Sequence, residues 1–399
     1  MVALNPFVPS FRRNPYLQYS RLRAEEPVHR SGALQAWVLT RYADCMAVLR
    51  DPATYSSDAR QAGGQVGELI REQRAASPLG EARTLLTIDP PAHTRMRGIV
   101  NRAFTARRVA ELRPRIEEIA RDLLTSAPER GEFDLISTLA RPLPVIVIAE
   151  LLGVPSADRD RFARWSSAIA ATTDLRSSQA AIAAAREVTL ELMDYFRGFV
   201  DQRRESPSSD LLSALAGAGE HEDLTTDEIL AFAILLLVAG HETTTNLIGN
   251  GALALLGRPE VADRMRDDPA ITPLVVEEML RFDSPVQAVV RVAREETCIG
   301  GTAIERGALL LVMLGAANRD AEQFDRPDEF IEARASNRHL SFGLGPHFCL
   351  GAPLARLEAE IAFTTLLGCY SSIQAGAAAP DRGGTLLLRG LTRLPLAVA

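Results

Sequence analysis

Apolar residues recur at three- and four-residue spacing over Arg107 to Leu124 and Ala180 to Arg204, which predicts two amphipathic helices. A third pattern is stronger. Thr225 and Glu228 form a capping box, and no proline follows until beyond Leu256. Some thirty residues at ~1.5 Å each give a rod of roughly 45 Å, enough to cross a globule. Its first part, Ile229 to Val238, is apolar on every side and is expected to be buried. Further helices are expected over Thr272 to Phe282 and over Leu350 to Leu367. Strand-like stretches are short: Ala36 to Leu39, Thr297 to Ile299, Leu309 to Met313 and Thr385 to Leu388. Gln61 to Gly67 and Glu205 to Ser209 read as surface loops. Length alone suggests two or three domains. No repeat, low-complexity linker or break in composition divides the chain, so 1–399 is read as a single domain, mainly α with a minor β region.

Inside the long apolar helix comes an abrupt polar cluster, Ala239-Gly240-His241-Glu242-Thr243-Thr244. Burying a carboxylate and hydroxyls costs several kcal/mol unless they find partners, on the order of what a buried ion demands. One reading is structural, with the threonines bonding back to the helix and Glu242 reaching solvent or an arginine. The other is a reactive surface. The face of Thr243 then carries Ala239, Gly240, Leu236, Leu235 and Phe232, a small apolar wall with one acid–alcohol pair. Such a wall suits an apolar substrate. His241 is read as structural.

Composition narrows the chemistry. All 44 basic residues are arginines, which excludes a Walker A loop and a lysine Schiff base. The formal net charge of −7 argues against nucleic acid as a partner. Four scattered cysteines, Cys45, Cys298, Cys349 and Cys369, fit a reducing compartment, and no Cys-x-x-Cys supports zinc. The N-terminal residues lack the apolar core of a signal peptide, and the longest apolar run, Ile229 to Gly240, is too short to span a bilayer. A cytoplasmic protein with no membrane anchor is expected.

One segment carries specific chemistry. Phe342-Gly343-Leu344-Gly345-Pro346-His347-Phe348-Cys349-Leu350-Gly351 sets a cysteine in a glycine-rich bend directly before a helix. Glycines let the backbone fold around the sulfur, and the helix N-terminus favours a thiolate over a thiol. A dinucleotide loop does not fit, because Phe348 occupies the third glycine position. The spacing Phe-x-x-Gly-x-His-x-Cys-x-Gly resembles the haem-thiolate loop of the cytochromes P450. The resemblance runs from about Leu22-Arg23 through Leu391.

That resemblance implies the cytochrome P450 fold, with haem b (iron protoporphyrin IX) between the long central helix and the cysteine-loop helix. Cys349 becomes the axial iron ligand. Glu242 and Thr243 become the acid and alcohol of oxygen activation, while Gly240 leaves space for dioxygen and water. His93 and Arg97, four apart in Asp89-Pro90-Pro91-Ala92-His93-Thr94-Arg95-Met96-Arg97, hold haem propionates together with Arg291 and His347. Glu278 and Arg281 form the structural Glu-x-x-Arg pair tied to the segment Phe324 to Phe330. Many members of the family carry an arginine where this chain has Glu329, so Arg326, Arg334 or His339 is expected to complete the network. Val286 and Val289, with the segments Tyr55 to Thr87 and Trp165 to Gln179, are expected to line the substrate pocket.

The activity so implied is monooxygenation of a lipophilic small molecule by hydroxylation or epoxidation. No flavin or ferredoxin module fits in the chain, so electrons are expected from a ferredoxin and its reductase, docked near Arg95, Arg102 and Arg356. A monomer is expected. A haem-thiolate peroxygenase driven by hydrogen peroxide and a haem gas sensor are the alternatives.

Overall fold

A computed structural model of the chain describes residues 4–6, 8–78, 82–170, 179–217 and 224–399. The central helix Thr226–Leu256 is the axis around which the helical region is built. It starts at the expected capping box: the Thr225 side chain accepts from the Glu228 amide and the Glu228 side chain accepts from the Thr225 amide. Ile229, Leu230, Ala231, Phe232, Ala233 and Leu237 are fully enclosed, as an all-round apolar sequence requires. Among the described residues it is the one helix long and apolar enough to cross a bilayer, and it serves here as the core of the fold. Pro142–Leu151, Arg159–Ala170, Gln179–Glu205 and Ala352–Cys369 pack on it.

The largest sheet of the minor β region has five strands in the order Val28–Ser31, Ala36–Leu39, Leu309–Val312, Val289–Ala293, Tyr55–Ser56, beside three smaller sheets among the described residues. Only the pairing of Ala36–Leu39 with Leu309–Val312 is parallel. Its register sets Arg291 opposite Leu310. Two smaller apolar clusters flank the sheet, and one large cluster fills the space between the helices.

Several expectations differ in detail. The pattern over 107–124 divides into Ala106–Glu111 and Arg113–Thr125, because Pro114 can sit in a first turn but not in a helix interior. The cysteine helix runs Ala352–Cys369, two residues later than expected at each end. A helix, Gly64–Ala76, begins inside the expected loop 61–67. Thr385 to Leu388 is a turn, not a strand. It joins Asp381–Gly384 to Arg389–Arg393, and the Thr385 hydroxyl accepts the amides of Leu387 and Leu388. Gly384, at φ +100°, makes that turn possible; a side chain there would meet the Leu388 carbonyl at 2.4 Å.

Candidate active site

The cysteine loop is shaped by its glycines. Gly343 and Gly345 sit at φ +71° and +72°. A Cβ on Gly345 would come within 2.5 Å of the Leu49 carbonyl, so the loop lies directly on the end of helix Tyr42–Arg50. The Cys349 amide donates to the Phe342 carbonyl at 2.9 Å, closing the bend. A Cβ on Gly351 would stand 4.0 Å from Cys349 Sγ, so bare backbone lines one side of the sulfur. Burial pushes the Cys349 thiol up, while the amides of Gly351 and Ala352 and the charges of Arg97 and Arg356 pull the other way. These opposing groups are the helix N-terminus and cations that a thiolate needs.

Around this loop the fold gathers the four expected anion-binding residues. His93 and Arg97 come from helix Ala92–Ala103, Arg291 from the sheet and His347 from the loop itself. The His93 and His347 rings are 4.2 Å apart between centroids. Their Nε2 atoms are both buried without a hydrogen-bond partner among the described residues, and His347 Nε2 stands 4.0 Å from Asp89 Oδ1. His347 Nδ1 lies 3.1 Å from the Leu85 carbonyl, to which it can only donate. Its Nε2 then becomes a donor when the ring is protonated. Burial first, then Arg291 and His93, hold the His347 ring down to about 4. Burial and the Arg97 charge lower His93 as well.

Arg291 is 8% exposed, and its one side-chain hydrogen bond among the described residues goes to the Val290 carbonyl at 2.7 Å. Burial lowers it to about 10. Arg97 Nε donates to Asn101 at 3.1 Å. The nearest fixed anion, Asp89, is already engaged by Ser56 Oγ at 2.5 Å, the Ser57 amide at 2.8 Å and Arg294 at 2.5 Å. The cluster therefore holds more buried positive and N–H capacity than the chain itself satisfies. Buried charge in that state calls for an anionic ligand. A haem fits it, with two propionates for the cationic cluster and an iron for the sulfur.

The central helix carries the stripe expected to face a substrate. Leu235, Leu236 and Thr243 are half-buried and Ala239 is exposed, a stripe at helical spacing in the middle of an otherwise enclosed helix. Two expected members differ. Phe232 is 2% exposed and belongs to the core, beneath the stripe rather than on it. Gly240 is at its edge, and a Cβ there would meet Ile148 Cδ1 at 2.6 Å. Its missing side chain lets Pro142–Leu151 approach the central helix. Thr243 Oγ1 donates to the Ala239 carbonyl at 2.7 Å, so back-bonding does occur, and its lone pairs remain as acceptors. Glu242 beside it is half-buried. Val286 and Val289 are half-buried too.

Of the expected pocket segments, Tyr55 is a sheet residue whose hydroxyl lies 3.2 Å from Thr297 Oγ1. Trp165 is 3% exposed and donates to Glu191. Residues 79–81 and 171–178 lie outside the described residues.

Glu278 and Arg281 are both wholly enclosed. Arg281 uses all five of its donors, on both Glu278 oxygens at 2.7 Å and on the carbonyls of Asn318, Pro327 and Glu329. Arg334 is the third member, with Nε 3.0 Å from Glu278 Oε1. Glu329 contributes only its carbonyl, while its side chain pairs with Arg326. His339 goes to Glu277 instead. Two of the cations expected at the docking face are held by carboxylates, Arg95 by Glu228 and Arg356 by Glu277.

Sequence reasoning read His241 as structural but missed its partner. His241 Nδ1 lies 2.8 Å from Ser166 Oγ, with the ring 5% exposed and Ser166 fully buried. Burial, then Arg141, push this ring down to about 4, so it is neutral at ordinary pH.

The family model described as Cytochrome P450 matches residues 37–382. The chain is 40% identical to the vitamin D(3) 25-hydroxylase of Pseudonocardia autotrophica, over 98% of this chain and 95% of that one. It is also 40% identical to the 6-deoxyerythronolide B hydroxylase of Saccharopolyspora erythraea, over 97% and 96%. The solved structure of the bacillaene polyketide synthase P450 PksS from Bacillus subtilis 168 superposes with a TM-score of 0.89 at 37% identity, covering 99% of this chain and all of that one. A cysteine loop of this form and relatives alike over their whole length lead to one conclusion: the chain belongs to the cytochrome P450 family and is a haem-dependent monooxygenase.

Proposed function

We propose that the enzyme binds haem b, with Cys349 holding the iron and with His93, Arg97, Arg291 and His347 holding the propionates. One observation carries this reading: four buried or half-buried donors converge beside a single cysteine, and two of their nitrogens have no hydrogen-bond partner among the described residues, the nearer carboxylate, Asp89, standing 4.0 Å from His347 Nε2. When bound, the haem supplies the iron that activates dioxygen and the oxidising chemistry that follows. The protein supplies ligand, protons and shape. Gly351 and Ala352 amides and the Arg97 charge oppose the burial that favours the thiol, and so favour the thiolate that an iron would bind. Arg291 and Arg97 give fixed positive charge to carboxylates, and the arriving carboxylate favours the protonated form of His347 and His93.

On the other wall, Leu235, Leu236 and Ala239 exclude water and hold an apolar substrate, with Val286 and Val289 at its side. Thr243 Oγ1 accepts a hydrogen bond from a proton donor while its own O–H donates to the Ala239 carbonyl, and Glu242 exchanges protons with water beside it. The substrate is a lipophilic small molecule that gains a hydroxyl or an epoxide; relatives named for hydroxylating vitamin D(3) and 6-deoxyerythronolide B support that class. Electrons come from redox partners, here a ferredoxin and its reductase. The protein acts as a cytoplasmic monomer, one domain over 1–399.

The test is the fate of electrons in Thr243→Ala. Haem content and substrate affinity should stay near wild type, while product per reductant consumed falls several-fold and hydrogen peroxide rises. Equal coupling in the two proteins contradicts the role given to Thr243. Turnover with peroxide alone that matches turnover with reductant and oxygen makes the enzyme a peroxygenase instead.

A further inference from the structure

Beneath the cysteine loop lies a second carboxylate, which the Glu278–Arg281 network does not use. Glu277 precedes Glu278 on helix Thr272–Phe282, so it points about 100° away around the helix. Its two oxygens accept from Arg356, from Nε at 2.6 Å and NH2 at 2.9 Å. His339 Nε2 is 3.2 Å away. Burial works against the Glu277 charge, but the hydrogen bonds from His339 and Arg356 win and hold its carboxyl down to about 2.

Both partners belong to the loop. Arg356 stands in the cysteine helix, and its guanidinium lies 4.5 Å from the centroid of the Phe342 ring. The carbonyl of that same Phe342 accepts the Cys349 amide. His339 stands at the loop entry, 6.0 Å from the Phe342 ring between centroids, and its Nδ1 accepts the Ser341 amide at 3.2 Å. One carboxylate therefore grips the segment entering the loop and the helix leaving it. The Arg356 charge also acts on the sulfur.

We propose that Glu277 is a positioning residue for the Cys349 thiolate: it fixes the Arg356–Phe342 stack against which the loop closes, and it offsets part of the Arg356 charge felt by the sulfur. Glu277 touches neither sulfur nor substrate and acts only through Arg356 and His339. The proposal rests on the reading of Cys349 as iron ligand. A cation beside a thiolate draws off its electron density and favours the reduced iron. A carboxylate clamped on that cation opposes the effect. The pair thus sets the reduction potential in two opposite directions, which a purely structural pair does not do.

The test is a redox titration of the haem-loaded protein without any partner protein. Glu277→Gln should raise the midpoint potential, by about tenfold in the reduction equilibrium, ~59 mV for a one-electron couple. Arg356→Gln should lower it. Arg356→Lys keeps the charge but loses the planar grip. It should leave the potential near wild type while the reduced carbon monoxide band decays faster from its thiolate position. Shifts of the same sign in Glu277→Gln and Arg356→Gln, or no shift in either, overturn the proposal. If Glu277→Gln does not load haem, the two Arg356 variants decide it: equal potentials in Arg356→Gln and Arg356→Lys overturn it. A wild-type protein without a thiolate-type band refutes the reading of Cys349 instead, so the two failures are distinguishable.

Discussion

Two charged clusters, one around Glu278 and Arg281 and one around His93, Arg97, Arg291 and His347, differ in one respect. Around Glu278 and Arg281 every donor of the arginine ends on an acceptor of the chain, and Glu278 also receives Arg334 and the Ile331 amide. Around His93, Arg97, Arg291 and His347, among the described residues, two imidazole nitrogens have no hydrogen-bond partner, with Asp89 4.0 Å from one of them, and the Arg291 side chain has a single hydrogen bond, to the carbonyl next to it. The first cluster is complete in itself. The second is complete only with an anion. Burial and charge alone do not separate a structural network from a binding site; the count of satisfied polar atoms does.

Breaking the complete cluster should have the largest effect. Glu278→Ala strands Arg281 and Arg334 in the interior, at a cost of about 3–5 kcal/mol. Little folded protein should be recovered, with or without haem, as judged by circular dichroism and the yield of soluble chain. A variant of normal stability places the pair in water.

A third buried pair, His241 with Ser166, sharpens the comparison through pH. The His241 ring is held at about 4, against a value of ~6.5 for an unfolded chain. Between those values the unfolded chain binds the proton more readily, so this contribution is fully present above ~pH 6.5 and is lost as pH falls toward ~pH 4. Urea unfolding at ~pH 7 and ~pH 5 should show that His241→Gln removes about 2 kcal/mol of the wild-type pH dependence. Identical pH dependence in both proteins means that the ring is solvated.

The incomplete cluster should respond with opposite signs in the two forms of the protein. Arg291→Met removes a buried cation that the chain alone leaves poorly paired. It should stabilise the haem-free protein by about 1–2 kcal/mol, since apolar replacement of such a charge is often favourable. The same change should speed haem loss about tenfold, the worth of one charge-assisted hydrogen bond. Transfer of haem to apomyoglobin measures the second effect and thermal unfolding of the apoprotein the first. Equal destabilisation of both forms makes Arg291 a structural residue.

The two clusters were also unequally legible in the sequence. The central helix was plain, because the Thr225–Glu228 box and a long proline-free apolar run leave no other fold for it. Cys349, His347, His93 and Arg97 each lie in a short local pattern that resembles the family's, which is enough to propose them together from sequence. Arg334 was not chosen over Arg326 and His339, because its contact with Glu278 spans 56 residues and depends on how the intervening segment turns. Ser166 stands 75 residues from His241 and leaves no local signal at all. Phe232 and Gly240 were assigned by helical angle alone. That angle gives a face, but not where the neighbouring helix covers it; Ile148 covers Gly240. The apolar run Thr385 to Leu388 looked like a strand because composition does not show that the Thr385 hydroxyl would close a turn over it.

Cys349 as a thiolate ligand is the assignment on which every other role depends. Its most direct measurement is the absorption of the dithionite-reduced, carbon monoxide-bound protein, beside that of Cys349→His. The wild type should absorb near ~450 nm, where strong thiolate donation moves the Soret band, and Cys349→His should absorb where histidine-ligated haem does. A wild-type protein that binds haem without that band, or a Cys349→His variant that keeps it, contradicts the account.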